Sequence, residues 1–218
     1  MISLKNFDNF IFDFDGTIAD TLQIHENAFK ESLKHFCLNF EYSDYLGQTT
    51  EFTISQILLK NNILLSQKKI SELVILKRIM ANTLIKSNSK FIKSADVFLH
   101  SLFLQKKGMY IASSGSKLNV EEGLRALKIE HYFKGIVTSN DVSRSKPNPE
   151  IYNKVIYMHD LIKEKSIVLE DAVSGITSGL DAGLSVISIN PQIDISQFRG
   201  EMVRSYTFDE LIHFINSQ

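Results

Sequence analysis

Phe10-Ile11-Phe12-Asp13-Phe14-Asp15-Gly16-Thr17 is the stretch that decides the fold. Side chains alternate faces along a strand, so this run, extended, buries phenylalanine and isoleucine on both sides and carries Asp13 near its carboxyl end. A strand apolar on both faces belongs at the centre of a parallel sheet, with helices above and below. Gly16 breaks the strand, because it tolerates backbone angles that a side chain forbids. Asp and Gly also make ordinary acidic turns. That simpler reading leaves Asp13 unexplained, since a carboxylate within an apolar run is costly without a partner. Asp15 follows two residues on, on the same side, and two converging carboxylates repel unless a cation lies between them.

The rest of the composition suits an ordinary enzyme. With 218 residues, 44% of them hydrophobic, the chain can bury one full core and a smaller satellite. Its 24 basic and 25 acidic side chains give no electrostatic reason to expect nucleic acid or an anionic membrane as partner. The single cysteine, Cys37, has no internal disulfide partner and reads as a small buried hydrophobe in a reducing cytoplasm. Asp8, Asp13 and Asp15 exclude a signal peptide from the first stretch, and no apolar run reaches the ~18 residues that span a bilayer. With no apolar stripe left over, a cytoplasmic monomer is the expectation.

Beyond Thr17 the period becomes helical. Ile18, Leu22, Phe29, Leu33 and Phe36 form one stripe, predicting a helix over about 20–38. His25 lies on that stripe and by itself reads as a core histidine bonded to a neighbouring helix. Thr49 or Thr50 caps a second helix carrying Phe52, Ile54, Ile57 and Leu58, and Asn61-Asn62 stops it. A third helix, over about 66–85, places Ile70, Leu73, Val74, Lys77 and Leu84 on one side. No strand is legible between Thr17 and Ser87, so an all-helical unit is inserted after the first strand.

From Lys90 onward strands and helices alternate. Helices are predicted over 95–106, 118–127, 149–159 and 174–182, and strands over 109–113, 135–138, 166–169 and 184–189. This is the pattern of a doubly wound parallel α/β sheet, in which ligands bind outside the carboxyl ends of the strands.

At those ends stand polar groups of a consistent kind. The second strand runs into Ser113-Ser114-Gly115-Ser116-Lys117, whose following helix offers free backbone N–H groups to an anion; serine also caps helices for purely structural reasons. After the third strand comes Ser145-Lys146-Pro147-Asn148-Pro149, where two prolines hold Lys146 in a stiff loop and Asn148 can cap the next helix. The fourth strand ends in Glu170-Asp171. Asp171 could serve only as a helix cap, but a cap would not require the second acid. Four carboxylates at the ends of parallel strands suit a hard divalent cation, and magnesium is the usual one beside phosphate.

Asp13-Phe14-Asp15-Gly16-Thr17, Ser113, Ser145-Lys146-Pro147 and Leu169-Glu170-Asp171 together resemble, in order and spacing, the four motifs of the haloacid dehalogenase-like superfamily. The resemblance covers nearly the whole chain and is strongest to the beta-phosphoglucomutase-like phosphatases. It implies a Rossmann-like catalytic core over 1–18 and 88–218, with a helical cap domain over 19–87. It also implies a magnesium-dependent phosphatase acting on a small phosphorylated metabolite. In that scheme Asp13 is the nucleophile and forms an aspartyl-phosphate, and Asp15 is the general acid and base. Ser113 and Lys146 hold the phosphoryl oxygens, with Thr17 and the Ser114 backbone as secondary contacts. Magnesium is held by Asp13, the Asp15 carbonyl and Asp171, with Glu170 acting through water. His25 falls where this branch carries a cap histidine facing the cleft.

The mutases of that branch differ at one place. Their arginine for a second phosphate is replaced by Thr50 in Gly47-Gln48-Thr49-Thr50-Glu51, and a neutral hydroxyl is no substitute for a guanidinium. Lys77, Arg78 and Lys117 remain as cations that could compensate. A phosphosugar mutase using the same Asp13 and Asp15 is therefore the alternative to hydrolysis, and steady release of inorganic phosphate distinguishes the two.

Overall fold

The structure, a computed structural model, describes residues 3–198 and 202–216. Its centre is β1 (Asn9–Phe12), paired in parallel with β2 (Gly108–Ser113) on one side and β4 (Ser166–Glu170) on the other. With β3 (Gly135–Thr138), β5 (Ser185–Ser188) and β6 (Val203–Ser205), the described residues form a parallel sheet in the order β3-β2-β1-β4-β5-β6. The chain is thus a doubly wound α/β protein, and β1 lies where the strand order reverses.

Alternation along β1 feeds both faces, as an apolar strand must. Phe10 and Phe12 join Met109, Ile111, Ile167 and Leu169 against α4 (Ala95–Leu104), α5 (Lys117–Leu127) and α8 (Phe208–Asn216). Ile11 points the other way, with Tyr110, Ala112 and Val168, against α6 (Glu150–Met158) and α7 (Val173–Asp181). The strand is shorter than the apolar run. It stops at Phe12, although Asp13 still donates its N–H to Leu169 O at 3.0 Å. Phe14 has left the sheet and lies against α5, where a Cβ on Gly123 would come within 2.4 Å of its ring.

Between β1 and α4 the chain forms α1 (Leu22–Ser32), α2 (Thr50–Lys60) and α3 (Gln67–Asn88). These have apolar clusters of their own, one of them around Phe29, Leu33, Ile54, Ile57, Leu58 and Leu73. The two connections to the core run side by side: Asp20 N donates to Lys90 O at 2.8 Å and Ile92 N to Ile18 O at 2.9 Å.

Several sequence expectations need correcting. The first helix ends at Ser32, not near residue 38, and gives way to a 3-10 turn over Lys34–Phe36 and to Cys37 in the left-handed region at φ 50°. Cys37 is consequently exposed, not buried. Ile18 packs in the core and not on the α1 stripe, since it precedes the helix. Phe52, Val97 and Phe103 are exposed because they fall outside the arc their helices bury. Thr49 is the α2 cap and accepts from Phe52 N. β6 and α8 were not anticipated: one is a three-residue edge strand, too short for its alternation to be read.

Candidate active site

The carboxyl ends of β1, β2 and β4 meet the inner faces of α1 and α3 around a cavity of about 40 Å³. Asp13, Asp15, Ser113, Ser114, Asn119 and Asp171 line it from the sheet side, and His25, Phe29, Tyr42 and Lys77 from the helical side.

Lys146 is the hub of the sheet side. Its Nζ lies 2.6 Å from Asp13 Oδ1, 2.6 Å from Glu170 Oε1 and 2.8 Å from Ala112 O. An ammonium has three protons, and all three are engaged. In this arrangement Lys146 therefore fixes Asp13 and Glu170, and a direct contact with phosphate would require it to exchange a partner. Glu170 Oε1 receives a second proton from Tyr152, whose hydroxyl is 2.5 Å away. Its Oε2 accepts from Asp171 N at 3.3 Å. Thr17 Oγ1 donates to Asp171 Oδ1 at 3.0 Å and is fully buried, so it orients Asp171 and does not line the cavity.

Asp13, Glu170 and Asp171 each offer a carboxylate oxygen, and these atoms lie within 4.8 Å of one another. Three buried acids face one buried ammonium, so with every acid ionised the cluster would carry two negative charges in excess. Burial raises the Asp13 carboxyl well above the ordinary range; Lys146 opposes this, and the neighbouring carboxylates add to it. Burial and Glu170 likewise push Asp171 up to about 7. A hard divalent cation would relieve both, and an all-oxygen donor set is what such an ion takes. These residues fit magnesium.

Asp15 belongs to a different network. Its Oδ1 receives Thr21 Oγ1 at 2.6 Å and stands 2.8 Å from His25 Nε2. His25 Nδ1 in turn is 2.9 Å from Lys77 Nζ. With Lys77 as ammonium donating to Nδ1, a neutral His25 carries its proton on Nε2 and donates it to Asp15. Burial raises Asp15, but His25 and Thr21 overcome it and bring its pKa down to about 2. Burial, with Lys77 alongside, lowers His25, and burial lowers Lys77 to about 7. Asp15 Oδ2 is left over Gly115, where a Cβ would approach it to 3.0 Å.

Ser113 Oγ accepts from Gly115 N at 2.9 Å and keeps its own proton for a ligand. Among the described residues Ser114 Oγ is buried without a partner, as is Asn119 Oδ1. Tyr42, Tyr152 and Asn119 were not anticipated from the sequence. Tyr152 follows Lys146 by six positions in the same loop and helix, which was the available signal. Tyr42 lies in a 3-10 turn between helices and carried none.

A buried carboxylate cluster bridged by lysine, at the switch point of a parallel sheet under a helical insertion, defines a class of α/β hydrolase. The chain belongs to the haloacid dehalogenase-like hydrolase family, whose model matches residues 10–189. It is 28% identical over 193 residues to an uncharacterized protein of Haemophilus influenzae, covering 87% of this chain and 94% of that one. To the pyrophosphatase PpaX of Bacillus mycoides it is 24% identical over 187 residues, covering 83% and 82% of the two chains. The fold matches that of CbbY from Rhodobacter sphaeroides, solved with phosphate, at a TM-score of 0.83 and 22% identity over 96% of this chain and 99% of that one. A beta-phosphoglucomutase from Clostridium difficile matches at 0.82, with 20% identity over 97% and 98%.

Proposed function

We propose that the protein is a magnesium-dependent phosphatase that hydrolyses a small phosphate monoester through an aspartyl-phosphate on Asp13. The observation that carries this reading is Lys146 Nζ, at 2.6 Å from both Asp13 and Glu170, with Asp171 completing the acidic cluster and Asp15 facing the same cavity.

An Asp13 carboxylate oxygen attacks phosphorus while the bond to the leaving alcohol breaks, and Asp15 delivers a proton to the departing oxygen. Water then attacks the phosphorus of the aspartyl-phosphate, Asp15 takes the proton, and inorganic phosphate leaves. Ionised Asp15 suits the second half. For the first it must gain a proton; a phosphate dianion brought beside it raises its proton affinity, and the His25–Lys77 pair holds a proton within reach. Magnesium, held by Asp13 and Asp171 with Glu170 beside them, would supply positive charge against that of the phosphoryl group. Ser113 and the backbone around Ser114 donate to its oxygens.

Residues 19–87 act as a cap over a core of 1–18 and 88–218, moving on the paired connections near Ile18–Asp20 and Lys90–Ile92. The small cavity supports this, because about 40 Å³ holds a few waters and not an organic leaving group. Hydrolysis is favoured over mutase chemistry because, among the described residues, Thr50 and no arginine lines the cavity from α2.

The test is rapid-quench kinetics with an aryl phosphate. Asp15→Asn keeps the nucleophile, so it should give a burst of aryl alcohol followed by turnover slower by on the order of 10²–10⁴. Asp13→Asn should give no burst. A burst from Asp13→Asn with none from Asp15→Asn would reverse the two roles.

A further inference from the structure

Beside the catalytic cavity lies a second polar cavity of about 190 Å³, and residues at the start of α2 and in α3 line both. Thr50 and Lys77 face the catalytic side, whereas their chain neighbours Thr49, Glu51 and Arg78 face the second one. Its opposite wall is the core loop after β3, contributed by Ser139, Ser143 and Ser145. The cavity therefore bridges the cap and the core, and Ser145 immediately precedes the Lys146 hub.

Arg78 is the group that needs explaining. Its Nε is buried and makes no hydrogen bond among the described residues. Among the described residues no carboxylate comes within ion-pairing distance of its guanidinium: the Glu51 carboxylate that shares the cavity is turned to Gln67 Nε2, 2.8 Å away. A guanidinium stays charged at any working pH and presents a planar fork suited to oxyanions. Leaving a buried donor of a charged group unmatched costs more than leaving a neutral one. Across the gap, the Ser143 and Ser145 hydroxyls are uncommitted among the described residues, and Ser139 Oγ is engaged with Gly115 O at 2.9 Å. One cation and two free hydroxyl donors thus converge on a cavity large enough for a small polyatomic ion.

We propose that this cavity is an oxyanion site, taking a phosphate or carboxylate group between Arg78 of the cap and Ser143 and Ser145 of the core. An anion bound there joins the two sides of the seam. The site stands whether or not the catalytic reading does, and two sources could fill it: a free inorganic oxyanion, or the distal acidic group of a substrate whose phosphate lies at Asp13.

The experiment counts sulfate ions by calorimetry in the full-length protein and in Arg78→Gln. Wild type is expected to bind two, one of them also measurable as competitive inhibition of aryl phosphate hydrolysis. Arg78→Gln should lose the other and keep the inhibition constant, whereas Arg78→Lys, which keeps the charge, should retain it with weaker affinity. Glu51→Gln should tighten the second sulfate, since a repelling carboxylate is gone. The same sulfate count in wild type and in Arg78→Gln, or weaker binding in Glu51→Gln, would overturn the site, the last by assigning Arg78 to Glu51. Ethyl phosphate and phosphoglycolate, which differ in a second acid group, separate the sources. A distal substrate group predicts that Arg78→Gln raises KM for phosphoglycolate at least about tenfold with kcat unchanged, the scale of one charge-assisted contact. A free anion predicts an unchanged ratio of the two KM values. The sulfate count decides the site even if neither ester is hydrolysed.

Discussion

His25 Nδ1 lies 2.9 Å from Lys77 Nζ, and the opposite nitrogen of the same ring lies 2.8 Å from Asp15. One imidazole thus couples a carboxylate on the loop after β1 to an ammonium on α3. Both residues of the pair are buried, and Lys77 also stands 4.3 Å from the centre of the Phe29 ring. A lysine so placed can hold its proton only by sharing it, so the charge of this network is set by how closely α1 and α3 approach the loop after β1.

Lys77 consequently makes stability depend on pH. Its pKa is about 7 in the folded protein, against an ordinary 10.5. Between these values the unfolded chain binds more protons than the folded one, so wild-type stability rises with pH across that window, and the cost of burial is fully present below it. Lys77→Met should be more stable than wild type by on the order of a few kcal/mol at about pH 6, with the gap closing towards about pH 10. Urea-unfolding midpoints at the two pH values check this, and a gap that does not change with pH would refute it.

Tyr152 holds the side of Glu170 that Lys146 also holds, at 2.5 Å. Partners of this kind commonly tune a metal site by about 10–100-fold. Tyr152→Phe should weaken magnesium binding by about tenfold in calorimetry, with the far-ultraviolet circular dichroism unchanged. Wild-type affinity in the variant would reduce Tyr152 to packing.

Gly175 sits against the same carboxylate: a Cβ there would lie 2.0 Å from Glu170 Cδ. Gly175→Ala must displace Glu170, and overpacking of this kind costs about 1–3 kcal/mol. The expected result is a lower melting temperature together with weaker magnesium binding. A melting temperature that falls while magnesium affinity stays put would show that Glu170 can move without consequence for the metal.

Asp171→Asn removes a charge that holds a hard cation but keeps the shape of the side chain. Magnesium dependence should weaken sharply and turnover fall with it. If calorimetry returned an unchanged magnesium affinity and turnover stayed full, Asp171 would be only a local structural acid.

Much of the site was legible from spacing alone. Asp13, Glu170 and Asp171 could be placed at strand ends because an apolar run with turn residues after it has a readable direction, and the sheet rule puts such ends on one side. The helical insertion is legible from its 3.6-residue period, but the period runs past the end of α1 at Ser32 because Phe36 continues the stripe from within a 3-10 turn. β6 is not legible in the sequence, since three residues do not establish an alternation.

By itself, then, the sequence determined the local periods: which segments extend, which coil, and where acids and hydroxyls interrupt them. Only the tertiary structure decided who meets whom. Lys146 and Asp13 are 133 positions apart, and they touch because β1 inserts between β2 and β4. His25 read equally well as a core residue or a cleft residue; packing of α1 against α3 made it a bridge from Asp15 to Lys77, 52 positions away. Periodicity is a property of neighbours along the chain. The partner of a buried charge is chosen by the fold as a whole, because a charge out of water must find its counterpart wherever packing has brought one within reach.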